Sequence, residues 1–201
     1  MTFPPAFVVV LTGGTARRLG GVDKTDADVD GRPVLRRLLD AVGALPVVVV
    51  GPPRDVGRDV LWTREDPPLG GPYAAAAAGF AAGLAAHPEA QVVVLLAGDQ
   101  PFAGAAVPAL RRALADDVDA ALATGPDGRE QPLLAAYRVA AVRERLTGAV
   151  QDRPVRELVD GLRTVRVPLD PRTTLDVDDP DDLTVARRLA RGLSPSPGPA
   201  R

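Results

Sequence analysis

Lys24 is the only lysine in a chain whose Lys and Arg residues together number 24. Arginine therefore supplies the ordinary surface charge, and this one lysine invites a chemical reading. It closes the segment 11–24, LTGGTARRLGGVDK, which holds four glycines and two adjacent arginines. Glycine backbone can approach a ligand closely, and the N–H groups of the Gly13-Gly14 turn can cradle phosphate oxygens. Arg18 and Lys24 would neutralise charge on a transferred or departing phosphate. Arg17 and Arg18 are neighbours, so only one faces a ligand, and Arg18 is the candidate. Two familiar phosphate loops are excluded. A P-loop needs Gly-Lys before Ser or Thr, whereas Lys24-Thr25 follows Asp23. The dinucleotide fingerprint G-x-G-x-x-G is also absent, because Gly13 and Gly14 are adjacent.

A second chemical feature stands downstream. Asp99, in Gly98-Asp99-Gln100-Pro101, offers a hard oxygen for Mg²⁺, which usually takes one or two protein carboxylates plus phosphate and water oxygens. Asp176 and Asp178 alternate in the run DVDD, so either could join Asp99 at the metal. Together these residues suit a nucleoside triphosphate lying along the glycine-rich loop. Each also has a purely structural reading. Gly13-Gly14 could be a tight connection, Asp99 a turn or cap residue, and the run 176–182 a solvated helix start. His87, before a proline at a helix end, reads as structural, and Trp62 and Tyr73 as packing residues.

The elements that must position these groups follow from the apolar pattern. Strands are expected at 7–11, 47–50, near 60–62, 92–96, near 120–123 and 164–167. Helices are expected at 33–42, 73–86, near 107–115, 155–160 and 181–191, with a turn at 125–128. The alanine-rich stretch 73–86, with Gly79 and Gly83, suits a helix lying close against a sheet. Residues 132–145 should hold a short strand and then a helix. Alternating strands and helices imply βαβ units and a mostly parallel, doubly wound sheet. In such sheets ligands bind beyond the carboxyl ends of strands, where strand order reverses. With the common order 3-2-1-4-5, strands one and four are neighbours there. The glycine-rich loop and Gly98-Asp99 would then meet over one crevice.

Composition narrows the class. The 201 residues suit one domain, 1–192, with the proline-rich tail 193–201 expected to be disordered. A net charge of −2 supplies no basic field for nucleic acid. There is no cysteine for disulfides or thiolate metal sites. No apolar run reaches the roughly 18 residues of a membrane helix, and a cytoplasmic location is expected.

The motifs also resemble those of the molybdenum cofactor guanylyltransferases, within the nucleotidyltransferase-like superfamily. The family pattern L-A-G-G-x-x-x-R-M-G-G-x-D-K matches residues 11–24 at every spacing, with Thr12 for Ala and Leu19 for Met. Similar elements follow in order: G-R-P-V-L at 31–35, Glu65-Asp66 before Gly70-Gly71-Pro72, G-D-Q-P-F at 98–102, Q-P-L at 131–133 and D-V-D-D-P-D-D-L at 176–183. The resemblance implies a Rossmann-like three-layer α/β/α sandwich. It also implies transfer of GMP from MgGTP to molybdopterin-type molybdenum cofactor, with pyrophosphate released. Carried over by position, Leu11, Thr12 and Gly13 would contact the nucleotide and Lys24 its phosphates. Asp66 would meet the nucleoside, Asp99 the Mg²⁺, and Gly71 would admit the base or ribose. Three departures bear on base and acceptor. Thr25-Asp26-Ala27-Asp28 replaces an apolar pair, Gly51 follows strand two, and Ala75 stands where the family has glycine. The rival expectations are transfer with another triphosphate or acceptor, and a nucleotide-binding partner without turnover.

Overall fold

The structure, a computed structural model, describes residues 3–12, 23–68, 70–147 and 150–192. Gly13, Gly14, Arg18 and the tail 193–201 lie outside the described residues. Strand β1, Ala6–Leu11, is buried along its whole length. That burial is what a run of Phe, Val and Leu in the middle of a sheet requires. Parallel partners lie on both sides of it: β2, Val47–Val50, and β4, Val92–Ala97. Strand β3, Leu61–Thr63, forms the edge beside β2. The three remaining strands are β5, Ala120–Thr124, β6, Glu130–Arg138, and β7, Thr164–Pro168.

The sheet order is β3-β2-β1-β4-β6-β5-β7. The expected neighbourhood of β1 and β4 is therefore present, but the order 3-2-1-4-5 is not. Strand β6 enters between β4 and β5 and runs antiparallel to both. The turn that follows β5 is the cause. Gly128, with φ 74°, donates to the Gly125 carbonyl at 3.0 Å, and the Arg129 N–H donates to the Asp127 carboxylate at 3.0 Å. Chain reversal at this turn sends the apolar half of β6 back along β5. The helix expected after it shrinks to α4, Val139–Val142.

Helices cover both faces. On one face α1, Val34–Val42, and α3, Val107–Ala113, bury Leu35, Leu38, Leu39 and Leu110 against Val8, Val10, Val94 and Leu96. On the other, α2, Gly71–Ala86, and α4 pack against Phe7, Val9, Val93 and Leu95. The result is a three-layer, Rossmann-like α/β/α sandwich. Helix α5, Pro180–Ala190, caps a third cluster formed by Val29, Val34, Phe102, Val177 and Ala186. Among the described residues, no helix is long and apolar enough to cross a membrane.

Helix α2 lies close to the sheet because it presents so little side chain. A Cβ added at Gly79 would stand 2.3 Å from Val9 and 2.8 Å from Val50, side chains fixed on buried strands. His87 ends α2 with its ring stacked on Phe7 at 6.5 Å. Tyr73 is fully buried, and Trp62 packs at the edge of a core. All three are structural, as expected. Gly79→Ala sets overpacking, which costs about 1–3 kcal/mol, against a helix-propensity gain of about 1 kcal/mol. The expected result in urea unfolding is a net loss of about 1 kcal/mol despite the better helix former.

Candidate nucleotide site

Three strand ends build the floor of the site. Thr12 leaves β1 buried, with its N–H and Oγ1 both donating to the Val50 carbonyl at the end of β2, at 3.0 and 2.9 Å. Gly98 leaves β4 and donates its N–H to the Leu11 carbonyl at 2.8 Å. A Cβ on Gly98 would lie 2.8 Å from that same oxygen and 2.9 Å from the Thr12 methyl, so only glycine allows the approach. The residue after this contact is Asp99. The residue that enters the glycine-rich segment, Thr12, and the residue before Asp99, Gly98, are therefore in contact where β1 and β4 end.

Lys24 arrives from the other side. It opens a short 3₁₀ turn, Lys24–Asp26, whose cap is the Asp23 carboxylate, accepting from the Thr25 N–H at 2.9 Å. Its Nζ pairs with the Asp178 carboxylate. Asp178 lies just before α5, and the neighbouring Val177 N–H donates to the Asp99 carbonyl at 3.0 Å. One backbone hydrogen bond thus ties the late acidic segment to the loop after β4. Asp176 points into the same place and accepts from the Gln100 side chain at 2.7 Å.

The electrostatics mark this cluster out. Burial, and then the nearby Asp176 and Asp178 charges, push the Asp99 carboxyl up to about 6, against opposing backbone hydrogen bonding and Lys24. Burial also raises Asp176, partly offset by the Gln100 hydrogen bond. Either a proton or a bound cation relieves carboxylates raised in this way. They line a cleft of about 440 Å³ together with Gln100, Glu130 and Gln131. Among the described residues no group of three Asp, Glu, His or Cys side chains is placed to hold a metal. The carboxylate oxygens of Asp99 and Asp176 are hard donors, the type that a hard cation takes one or two of while filling its shell from phosphate and water.

The run 176–182 divides between its two readings. Asp176 and Asp178 face the site, while Asp179 and Asp182 form a reciprocal capping box at the start of α5. Asp66 and Gly71 are placed differently from the others. Asp66 is exposed in the bend after β3, and Gly71 opens α2 with φ 85°. Neither lines the acidic cleft. Sequence reasoning missed the link through Gln100, whose side-chain amide donates to both Asp176 and Gln131 and is 3% exposed. The available signal was the recurrence of Gln-Pro, at 100–101 and 131–132, beside both halves of the cleft.

Residues 8–167 match the MobA-like NTP transferase domain. The chain belongs to this family. It is a nucleotidyltransferase. Over 196 residues it is 30% identical to a protein named molybdenum cofactor guanylyltransferase from Bradyrhizobium sp. (strain ORS 278), covering 90% of this chain and 92% of that one. The solved structure of molybdopterin-guanine dinucleotide biosynthesis protein A from Archaeoglobus fulgidus has a TM-score of 0.67 at 22% identity, over 92% of this chain and 99% of that chain. Rv0371C from Mycobacterium tuberculosis H37Rv, solved in complex with manganese, has a TM-score of 0.63 at 21% identity, over 93% and 100%. At those identities the solved structures establish the fold.

Asp99 makes the transferase's stability depend on pH with a definite sign. Its folded value of about 6 exceeds the ordinary 3.8, so the folded state holds the proton more tightly. Stability contributed by this group is present below about 4 and lost as pH rises through 6. Asp99→Asn, unable to ionise, should match wild type near pH 4 and exceed it by about 1–2 kcal/mol at pH 7, a figure discounted for partial exposure. Urea titrations of both proteins at the two pH values check this.

Proposed function

We propose that the transferase moves GMP from MgGTP to a molybdopterin-type molybdenum cofactor and releases pyrophosphate. The observation that carries this reading is the convergence of Lys24, Asp99, Asp176 and Asp178 where β1 and β4 end, beside a cleft open to a second substrate. The 30% identity to a relative named for this activity supports the choice of base and acceptor.

In this reading the triphosphate lies beside Leu11 and Thr12, whose backbone stays in the sheet, and meets the N–H groups of Gly13 and Gly14. Arg18 and Lys24 balance phosphate charge. Lys24 then exchanges the Asp178 carboxylate for a phosphate oxygen, which frees Asp178 to stand with Asp99 toward Mg²⁺. When bound, the cation supplies charge neutralisation at the α-phosphate and the departing pyrophosphate. Asp66 and Gly71, on the β3–α2 side, meet the nucleoside, while the acceptor enters through the cleft lined by Gln131. The terminal phosphate oxygen of the acceptor forms a new bond to the α-phosphorus. The α–β bridging P–O bond breaks, and its electrons leave with pyrophosphate. The chain's own contribution is positioning and charge balance, which is how phosphoryl and nucleotidyl transfer are accelerated generally.

Gly51 gives a rival base its one specific argument. It has φ 152°, and a Cβ there would come within 2.1 Å of the Thr12 Oγ1. Position 51 therefore lends no side chain to base recognition. Pyrophosphate release should be assayed with each of the four NTPs, Mg²⁺ and molybdopterin. Release with GTP is expected, and Lys24→Ala and Asp99→Ala should each lower it by about 10²–10³. Faster release with CTP would overturn the guanine assignment, and silence with every NTP would remove turnover altogether.

A further inference from the structure

The acidic residues beside Lys24 have a partner that none of the motifs singles out. Arg54 follows Gly51-Pro52-Pro53 at the end of β2, and its side chain is 20% exposed. The guanidinium stands 3.2 Å from the Asp26 carboxylate and 3.8 Å from that of Asp23. It also donates to the Thr25 hydroxyl. Thr25 is 4% exposed, and its hydroxyl in turn donates to the Asp23 carboxylate at 2.8 Å. Arg54 thus holds Thr25 by a hydrogen bond and faces the Asp23 and Asp26 carboxylates, all within two residues of Lys24. Lys24 itself reaches away from this grip toward Asp178.

We propose that Arg54 is a positioning residue for nucleotide binding, acting through Lys24. This rests on the reading that Lys24 meets the phosphates. The physical case is one of geometry and charge. Lysine is a point charge on a flexible stem, so its usefulness depends on how firmly its backbone is held. Arginine offers a rigid planar fork of donors that can bind several acceptors at once. Two prolines just before Arg54 limit the backbone freedom of the strut's own base. The fork's single positive charge also offsets part of the negative charge of Asp23 and Asp26 next to Lys24. Asp26 and Arg54 are then one device, placed in different elements and joined only by the fold.

Affinity for MgGTP, measured by calorimetry on the full chain, tests this in wild type, Lys24→Ala, Arg54→Ala, the double variant and Arg54→Lys. Lys24→Ala should weaken binding at least tenfold, and Arg54→Ala about tenfold. The double variant should bind no more weakly than Lys24→Ala alone, because the strut has nothing left to position. Arg54→Lys should recover part of the loss. Wild-type affinity in Arg54→Ala, or losses that multiply in the double variant, would overturn the proposal while leaving the phosphate reading intact. Wild-type affinity in Lys24→Ala would overturn that reading itself. If Arg54→Ala does not fold, Thr25→Val removes the hydroxyl that Arg54 holds without changing any charge and takes its place, with a weaker version of the same pattern expected.

Discussion

The close approach of two parallel strand ends is the constraint on which this molecule depends. Strands β1 and β4 run in register to Leu11 and Ala97, and the Gly98 N–H then closes onto the Leu11 carbonyl. No side chain fits at position 98 without striking β1. The consequence is functional as well as structural. Whatever leaves β1 toward the glycine-rich segment and whatever leaves β4 toward Asp99 must share one small volume. The rest of the sandwich keeps those ends still: α2 against one face through small residues, and α1 and α3 against the other through leucines.

That shared volume stores an electrostatic conflict. Asp99 and Asp176 are both pushed above ordinary carboxylate values, mainly by burial and further by neighbouring carboxylates. The lysine that partly relieves them is paired with Asp178. A bound cation or a proton would ease this conflict, because each removes negative charge from the buried carboxylates. The surroundings over-determine the arrangement. Val177 is fastened to Asp99 by backbone, Gln100 spans Asp176 and Gln131, and a capping box at Asp179 fixes where α5 begins.

The acidic departure from the family pattern, after Lys24, finds a physical explanation in the same neighbourhood. Asp26 faces Arg54, and the Asp28 carboxylate accepts from the Gly31 N–H at 3.1 Å, closing the turn before α1. Both carboxylates are therefore engaged, Asp26 in an ion pair and Asp28 in a turn. From α5, Arg187 donates to the Asp28 carbonyl at 2.9 Å and Arg191 pairs with Asp30 at 2.7 Å. The acidic stretch after Lys24 is thus a seam where the last helix is sewn to the site.

By itself, the sequence determined the elements whose apolar pattern is long and regular. The all-valine β2 and the leucine spacing of α1 announced themselves because burial of apolar surface dictates periodicity. Lys24 and Asp99 were legible because their types are rare or chemically specific in their settings. What lies far apart in the chain was settled by the tertiary structure alone. The insertion of β6 between β4 and β5 depends on which edge a turning strand meets, and local periodicity contains no such information. The division of the run 176–182 into site residues and cap residues is of the same kind. So are the pairing of Lys24 with Asp178, 154 residues away, and the grip of Arg54 on Asp26. A side chain's type limits what it can bind, but its partner is set by where the packed sheet brings the two together.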